Sequence, residues 1–246
     1  LAVGGIAGRS GGGKKAALTM GGGSEISEAS VARGLRWLAN HQMNDGSWAL
    51  DAHVLPNGKP CGCNKAGKRD SRVAGTAFGL LPMLAAGITH KPNSEKIEEK
   101  DDSGKGGKAA YHAQVQKGLN YLIAKQDKRT GAYSSEPYSH SLATIAMCEA
   151  AGMTSDPILR ASAQKGIAYV IDFQDPAGGG WRYTPKQPGD TSVTGWMFMA
   201  LKSAQMAGLR VAPERYKLVE RFLDSVMDSK TGLYGYEKAG GGSPAM

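Results

Sequence analysis

Long apolar runs are absent from this sequence. No stretch approaches the roughly 20 consecutive apolar residues that a membrane-spanning helix needs, so membrane association is expected only through further parts of a longer protein. A dense basic stripe with interleaved aromatic residues is also absent. The formal charge is +8, but the Lys and Arg residues are scattered over predicted loops and helix faces. Nucleic-acid binding is therefore not expected, and the charge implies only a weak attraction to acidic surfaces.

Cysteine is scarce as well. The chain has three cysteines, and this odd number leaves open either one close pair beside a free thiol or no disulfide at all. The cellular compartment is therefore undetermined. Two of the cysteines flank Gly62 in an insertion that runs from 49 to 70, and His53 lies in the same insertion.

The insertion carries the only candidate metal site in the sequence. Thiolates and imidazoles are ligands that zinc prefers, so the candidate ligands are Cys61, Cys63 and His53, with Asp51, Asp70 or His41 as a fourth. The spacing is not that of a standard zinc motif, and a turn with free thiols or a cross-link elsewhere is the alternative. Apart from this zinc, no cofactor is expected.

A unit consisting of a helix, a glycine-and-aromatic turn and a second helix recurs along the chain. Its first helix opens with a basic residue and is followed by a Gly-x-aromatic turn; the leading positions are Arg33, Lys117, Lys165 and, in a weaker copy, Lys217. The later copies are about 50 residues apart, a period typical of stacked helical or propeller units. Apolar residues at i, i+3 and i+4 favour helices.

The pattern of basic residue, glycine, aromatic-aliphatic pair, glutamine and Gly-x-aromatic resembles the QW repeat of squalene–hopene and oxidosqualene cyclases. It is also similar, more loosely, to the repeats of protein prenyltransferase β-subunits. The resemblance covers residues 25–236 and implies an all-α fold, an α/α toroid of helical hairpins with an inner and an outer ring. We expect an incomplete toroid over residues 24–246 that lacks its C-terminal helix, preceded by a Gly-rich flexible arm or linker over residues 1–23.

Three apolar helical runs each end in an Ala-Gly-aliphatic triplet. Glycine just beyond a helix takes the left-handed conformation readily, and the next aliphatic residue packs back on the last turn. The sequence therefore predicts helix ends at Gly87, Gly152 and Gly208. Counting back twelve residues from each makes three positions equivalent near one end of the inner helices: Gly75, His140 and Trp196.

The resemblance also indicates where cyclase chemistry would take place. Class II terpenoid cyclases protonate their substrate with the middle Asp of a D-x-D-D-T motif, and the matching stretch here is Gln187-Pro188-Gly189-Asp190-Thr191. Gly189 stands at the proton-donor position, and glycine carries no proton. Asp190 is therefore interpreted as a helix N-cap, with a catalytic acid as the alternative. The zinc ligands of the prenyltransferases are not carried over, because Lys59 stands where their Asp-x-Cys pattern requires the Asp.

Two function hypotheses follow. The first is a squalene-cyclase/prenyltransferase-like repeat domain that binds an apolar, isoprenoid-type or extended ligand, or a protein partner, without cyclase chemistry. The second is an enzyme, a divergent terpenoid cyclase or isomerase that uses Asp190 with His140 or with residues outside this sequence. A histidine at a helix start is more often a hydrogen-bonded structural residue than a catalyst. The candidate ligand-binding residues are Tyr138, Trp181, Tyr183, Thr191 and Trp196.

Overall fold

The computed structural model describes residues 6–9, 13, 16, 19–50, 55, 57, 59, 61–62, 71–92, 94–100 and 106–240. This part of the chain is mostly helical. After a short 3-10 helix at Ile6–Arg9, the elements are α1 (Glu25–Asn40), α2 (Arg72–Ala85), β1 (Ile97–Lys100), β2 (Gly106–Ala109), α3 (His112–Lys125), α4 (Pro137–Thr154), α5 (Pro157–Phe173), α6 (Thr191–Met206) and α7 (Pro213–Val226). The two strands pair antiparallel, in a segment where sequence reasoning placed no strand. None of the helices described has both the length and the apolarity to cross a membrane.

In chain order the helices form pairs joined by a turn, α1 with α2, α3 with α4 and α5 with α6, and we call each such pair a hairpin. The second helices lie side by side in the order α2, α4, α6; α3 packs on α2, α5 on both α4 and α6, and α7 on α6. Helix α4 is in the middle, and every residue from Ser139 to Ala151 is buried. An apolar helix that is covered on all sides is typical of a core position. The all-α prediction agrees with the helix content.

Local sequence signals account for most helix starts. Ser24 opens α1 with a capping box in which its hydroxyl accepts a hydrogen bond from the Ser27 N–H. Ser71 caps α2, and Asp156 caps α5 ahead of a proline at the first helical position. Glu136 caps α4 in the same way, with its carboxylate accepting bonds from two backbone N–H groups. Each cap satisfies donors that a helix leaves unpaired at its start.

Two of the three predicted glycine stops are confirmed, and one is wrong. Gly87 and Gly208 have φ values of +86° and +66°, and each follows the last turn of its helix with the hydrogen bonds of a Schellman motif. Gly152 instead lies inside α4, which continues to Thr154 and ends at Ser155 in the left-handed conformation. A Cβ at Gly152 would lie 3.1 Å from Ala207 and 3.0 Å from Ile6, so this glycine allows close packing inside the helix.

The same set of contacts joins each hairpin turn to the first helix of the next hairpin; we call this set a joint. The glutamine that ends the first helix donates its side-chain amide to one carbonyl in its own turn and to one carbonyl in the next first helix. The bonds are Gln42 to Gly46 and Gln114 (3.0 and 2.8 Å), Gln126 to Gly131 and Ser162 (both 2.9 Å), and Gln174 to Gly179 and Arg215 (2.8 and 3.3 Å). The glutamine of the sequence pattern therefore links adjacent hairpins.

Glycines allow the backbones to approach in each joint. The turn glycines Gly46, Gly131 and Gly179 are buried with positive φ, and a Cβ on any of them would collide with a backbone carbonyl of the next helix. Those carbonyls belong to Lys117, Lys165 and Leu218. The sequence placed the leading residue of the fourth copy at Lys217, and this prediction is wrong by one residue. Leu218 is the equivalent, because the weaker copy has lost the basic-Gly pair that set the register in the others.

A second correction concerns the equivalent positions near the helix starts. The backbone N–H of the turn aromatic donates to one side chain in each second helix: Trp48 to Thr76, Tyr133 to His140 and Trp181 to Thr194. Thr76, His140 and Thr194 are thus equivalent in this bond, rather than Gly75, His140 and Trp196. The prediction was wrong because the distance from this bond to the glycine stop is not constant: Thr76 lies 11 residues before Gly87, and Thr194 lies 14 residues before Gly208.

The 3-10 helix at Ile6–Arg9 packs on the central row of helices. Ile6 is buried, and the Arg9 guanidinium makes two hydrogen bonds to the Glu149 carboxylate of α4, at 2.6 and 3.2 Å. An apolar side chain and a bidentate ion pair hold this short segment in place. Within residues 1–23, the segment expected to be a flexible arm, these four residues are docked.

Candidate functional site

The candidate site lies at the N-terminal end of α6, where Asp190 caps the helix. The Asp190 Oδ1 accepts a hydrogen bond of 2.8 Å from the Val193 N–H, and the Asp190 N–H donates to the Trp181 carbonyl at 2.8 Å. The residue is fully buried. Its second carboxylate oxygen, Oδ2, is enclosed and has no hydrogen-bond partner in the part of the chain that the structure describes.

The position before Asp190 has no room for a side chain. A Cβ on Gly189 would lie 2.7 Å from Gly180 Cα and 2.8 Å from the Trp181 nitrogen. Both neighbours are backbone atoms of the preceding turn, and they cannot move aside as a flexible side chain would. Gly189 is therefore required by the close approach of two backbone segments.

The C-terminal segment covers this helix end. The Thr191 N–H donates to the Tyr236 carbonyl at 2.9 Å, and the Thr191 hydroxyl donates to the Gly235 carbonyl at 2.6 Å. Arg182 forms an ion pair with Glu237 of the same segment, and this partner raises the pKa of the guanidinium. The backbone donors of the first α6 turn are thus satisfied partly by Asp190 and partly by a segment about 45 residues away.

Three tyrosines lie beside the cap. The Tyr138 and Tyr183 ring centroids are 6.1 Å apart, and the Tyr183 hydroxyl is 3.4 Å from the Tyr236 hydroxyl. The Tyr138 hydroxyl is 2.8 Å from the Ser192 hydroxyl. Burial raises the pKa of Tyr138 to about 12, and the hydrogen bond with Tyr183, followed by burial, raises the pKa of Tyr236. The Tyr138 and Tyr236 phenols are therefore protonated at neutral pH.

Trp181 and Trp196, two of the expected ligand-binding residues, have different environments. Trp181 is completely buried, and its indole N–H donates to the Val170 carbonyl at 2.8 Å. This ring fills space between helices, and a ligand reaches it only if the helices separate. Trp196 is half-buried and packs against the core from α6. Tyr183 is half-exposed, so it is the most accessible aromatic ring beside the cap.

His140 is part of a hairpin joint, where it bonds the Tyr133 turn and the next first helix. Its Nδ1 accepts a hydrogen bond from the Tyr133 N–H at 3.2 Å, so its Nε2 carries the proton and donates to the Gly166 carbonyl at 3.1 Å. The ring also meets the edge of Tyr169. Complete burial lowers the pKa of His140 to about 4, so the ring is neutral. Both nitrogens are therefore engaged in packing α4 against its neighbours.

The metal prediction is only partly within the described residues. Cys61 is half-buried, whereas Cys63 and His53 lie outside the described residues. No group of three or more potential metal ligands occurs in the part that the structure describes. The zinc prediction at Cys61, Cys63 and His53 thus stays a prediction.

Sequence reasoning missed Tyr236, Arg182, Glu237 and Ser192, which complete the surroundings of Asp190. The first three depend on contacts between segments more than 40 residues apart, and no local motif marks such contacts. No protein-family model matches the chain, and no curated protein matches it either.

Proposed function

We propose that this chain is a non-catalytic repeat domain of the squalene-cyclase/prenyltransferase type, in which the second helices bind an apolar, isoprenoid-type or extended ligand. The observation that carries the proposal is the packing of Gly189. The proton donor of the related cyclases would have to grow from a backbone position that touches Gly180 and Trp181. With Asp190 used as a buried helix cap, the acid function of this motif has been replaced by a structural one.

The recurring joints support a toroid-like arrangement of the hairpins. Each of three glutamines bonds its own turn and the following first helix. Repetition of one joint with nearly constant geometry produces regular curvature. In an α/α toroid the row α2, α4, α6 would form the inner ring; because α4 is buried, α2 and α6 would face the ligand.

Exposed apolar side chains on two of these helices mark the proposed ligand surface. Phe78 of α2 is 45% exposed, and Met199 and Met206 of α6 are 50% and 53% exposed. Contiguous exposed apolar patches mark binding surfaces, and in this proposal these side chains belong to one such patch. Methionine is flexible and polarizable, so it adapts to extended apolar ligands of varied shape.

The second candidate is the enzyme, a divergent cyclase or isomerase that uses Asp190. One observation favours it: among the described residues, the buried Asp190 Oδ2 has no hydrogen-bond partner, whereas buried polar atoms in folded proteins are usually paired. The nearby tyrosines supply aromatic faces of the kind that stabilise carbocations. Because His140 is engaged elsewhere, this candidate relies on Asp190 together with residues beyond its immediate contacts.

Binding and turnover are tested together, with squalene and geranylgeranyl diphosphate as probes. We expect native mass spectrometry to detect a bound probe and product analysis to find no cyclised material. Met199→Gln should weaken binding, because it places an amide on the proposed surface. Ile158→Gln is the matched control. Ile158 is 66% exposed on α5, the first helix of its hairpin and outside the proposed surface, so this variant should bind the probe as the unchanged protein does.

Two results would overturn the proposal. A cyclised product that disappears in Asp190→Asn establishes the enzyme, because asparagine keeps the cap acceptor and the volume but loses the acid. Absence of probe binding, together with recovery of a complex with another protein only, establishes a protein-binding scaffold without an apolar ligand. Equal binding by Met199→Gln and the unchanged protein would place the ligand on a different surface.

A further inference from the structure

The last turn that the structure describes has the geometry of a joint turn, and no described helix packs on it. We call residues 228–234 the tail turn. Its Asp228 N–H donates to the Leu233 carbonyl and its Gly232 N–H to the Asp228 carbonyl, as Asp127 and Gly131 do in the second hairpin. Gly232 has a φ of +71°, yet it is exposed and no described atom lies within 4 Å of the Cβ position.

The first helix of the chain shows the complementary feature. In the internal joints, Gly118 and Gly166 are buried because the aromatic ring of the preceding turn packs on them; a Cβ would lie 3.0 Å from the Trp48 ring and 2.8 Å from the Tyr133 ring. Gly34 is the equivalent residue of α1. It is exposed, and no described atom lies within 4 Å of its Cβ position. We call the surface formed by Arg33 and Gly34 the head.

We infer that the head of one copy of this chain accepts the tail turn of a second copy, which forms an additional joint between molecules. The chain carries both halves of a contact that it makes three times internally, and no described residue covers either half. Within the part of the chain that the structure describes, the two halves do not meet. In the additional joint, Gly232 packs on the Arg33 carbonyl and the Tyr234 ring lies over Gly34. This inference concerns assembly and does not depend on the proposed ligand.

One residue makes the additional joint weaker than the internal ones. Met227 stands where Gln126 and Gln174 stand in the other copies, so the tail turn has no amide to donate to the next helix. In the internal joints the glutamine amide donates to the backbone carbonyl of Gln114, Ser162 or Arg215. The equivalent carbonyl in α1 is that of Ser30, three residues before Arg33. Association is therefore reversible, and Met227→Gln should strengthen it roughly 2- to 10-fold by restoring one buried hydrogen bond.

Sedimentation velocity over a concentration series tests the joint. We expect reversible association of the unchanged chain, and at least about 10-fold weaker association of Gly34→Leu, because the added side chain occupies the place of the Tyr234 ring. Gly195→Leu is the matched control: Gly195 is also an exposed helical glycine with open space around it. Both leucine variants should fold, since leucine favours a helix more than glycine does.

Mixing two blocked variants distinguishes a head-to-tail joint from any other contact. Gly34→Leu keeps its tail turn, and Tyr234→Ala keeps its head, so neither should associate alone but the mixture should form a heterodimer. A chain that stays monomeric at all concentrations overturns the inference. Association that Gly34→Leu leaves unchanged also overturns it. So does a pair of blocked variants that fails to combine, or a Met227→Gln variant that associates no more strongly than the unchanged chain.

Discussion

The side-chain amide of Gln126 donates to the carbonyl of Ser162, which lies in the first helix of the next hairpin, and the Ser162 hydroxyl donates back to the Gln126 Oε1 at 2.7 Å. A second bond from the same amide reaches the Gly131 carbonyl in the turn. One buried side chain therefore fixes a helix end, a turn and a neighbouring hairpin at once.

Replacing this glutamine should destabilise the fold. Gln126→Met keeps the volume and reproduces the residue found at the fourth copy, Met227, but removes the amide that bonds the Gly131 and Ser162 carbonyls; the Ser162 hydroxyl loses one of its two bonds and keeps the one to the Tyr133 hydroxyl. We expect a loss of about 2–4 kcal/mol in the free energy of unfolding, since each buried unpaired group costs about 1–3 kcal/mol. Urea denaturation followed by circular dichroism measures it. Gln116→Met, at an amide bonded only to Asn120 on the same helix, should change it by less than about 0.5 kcal/mol.

Replacing glycine by alanine should change the free energy of unfolding in opposite directions at two helical positions. Gly166→Ala places a methyl group 2.8 Å from the Tyr133 ring and 3.1 Å from the Thr144 hydroxyl, and we expect a loss of about 1–3 kcal/mol from overpacking. Gly195→Ala meets open space and should gain up to about 1 kcal/mol from helix propensity. Thermal unfolding of the two variants measures the difference. A stabilised Gly166→Ala would mean that the Tyr133 ring does not occupy this position.

The sequence alone predicts which residues form each joint, but it does not predict the close packing between segments that are distant in the chain. The Gln and Gly-x-aromatic residues recur at matching distances, so their shared role is visible without a structure. The role of Gly152 is not, because an Ala-Gly-Met triplet looks the same at a helix end and in a helix that another segment approaches closely. Ile6 and Ala207 decide the outcome, and both are distant in sequence.

The surroundings of Asp190 show the same limit. Its cap role follows from a local pattern, Asp ahead of a helical run, and the structure has that bond. The bonds of Thr191 to Gly235 and Tyr236 form only when the chain returns to the helix start. No spacing rule links residues that meet through the path of the whole fold, so these neighbours were not predictable.

The buried His140 should make stability depend on pH in acid. Its pKa is about 4 in the folded chain and about 6.5 when unfolded, so the unfolded state binds the proton more tightly. The contribution of this group is fully present above about pH 6.5 and is lost as the pH falls toward about 4, by on the order of 3 kcal/mol. Above pH 6.5 we expect no effect from this residue.

Denaturation between pH 4 and pH 7.5 measures this dependence. Burial also lowers the pKa of His90, so His90→Asn is introduced into both proteins compared. Adding His140→Asn, which keeps an acceptor for the Tyr133 N–H, should then flatten the pH dependence between 4 and 6.5. Equal slopes with and without His140 would show that the ring is accessible to protons in the folded chain.

The last prediction separates the two roles considered for Asp190. As a cap, Asp190 stabilises the start of α6 through its Oδ1, which accepts a hydrogen bond from the Val193 N–H. Asp190→Ala should therefore lower the free energy of unfolding by about 1–2 kcal/mol. Asp190→Asn keeps an acceptor and should lose less. Asp172→Ala, an exposed residue paired only with Lys186 at 3.6 Å, is the control and should change stability by less than about 0.5 kcal/mol. Catalytic carboxylates are often held at a cost in stability, so a gain in Asp190→Ala would contradict the cap role and favour the enzyme.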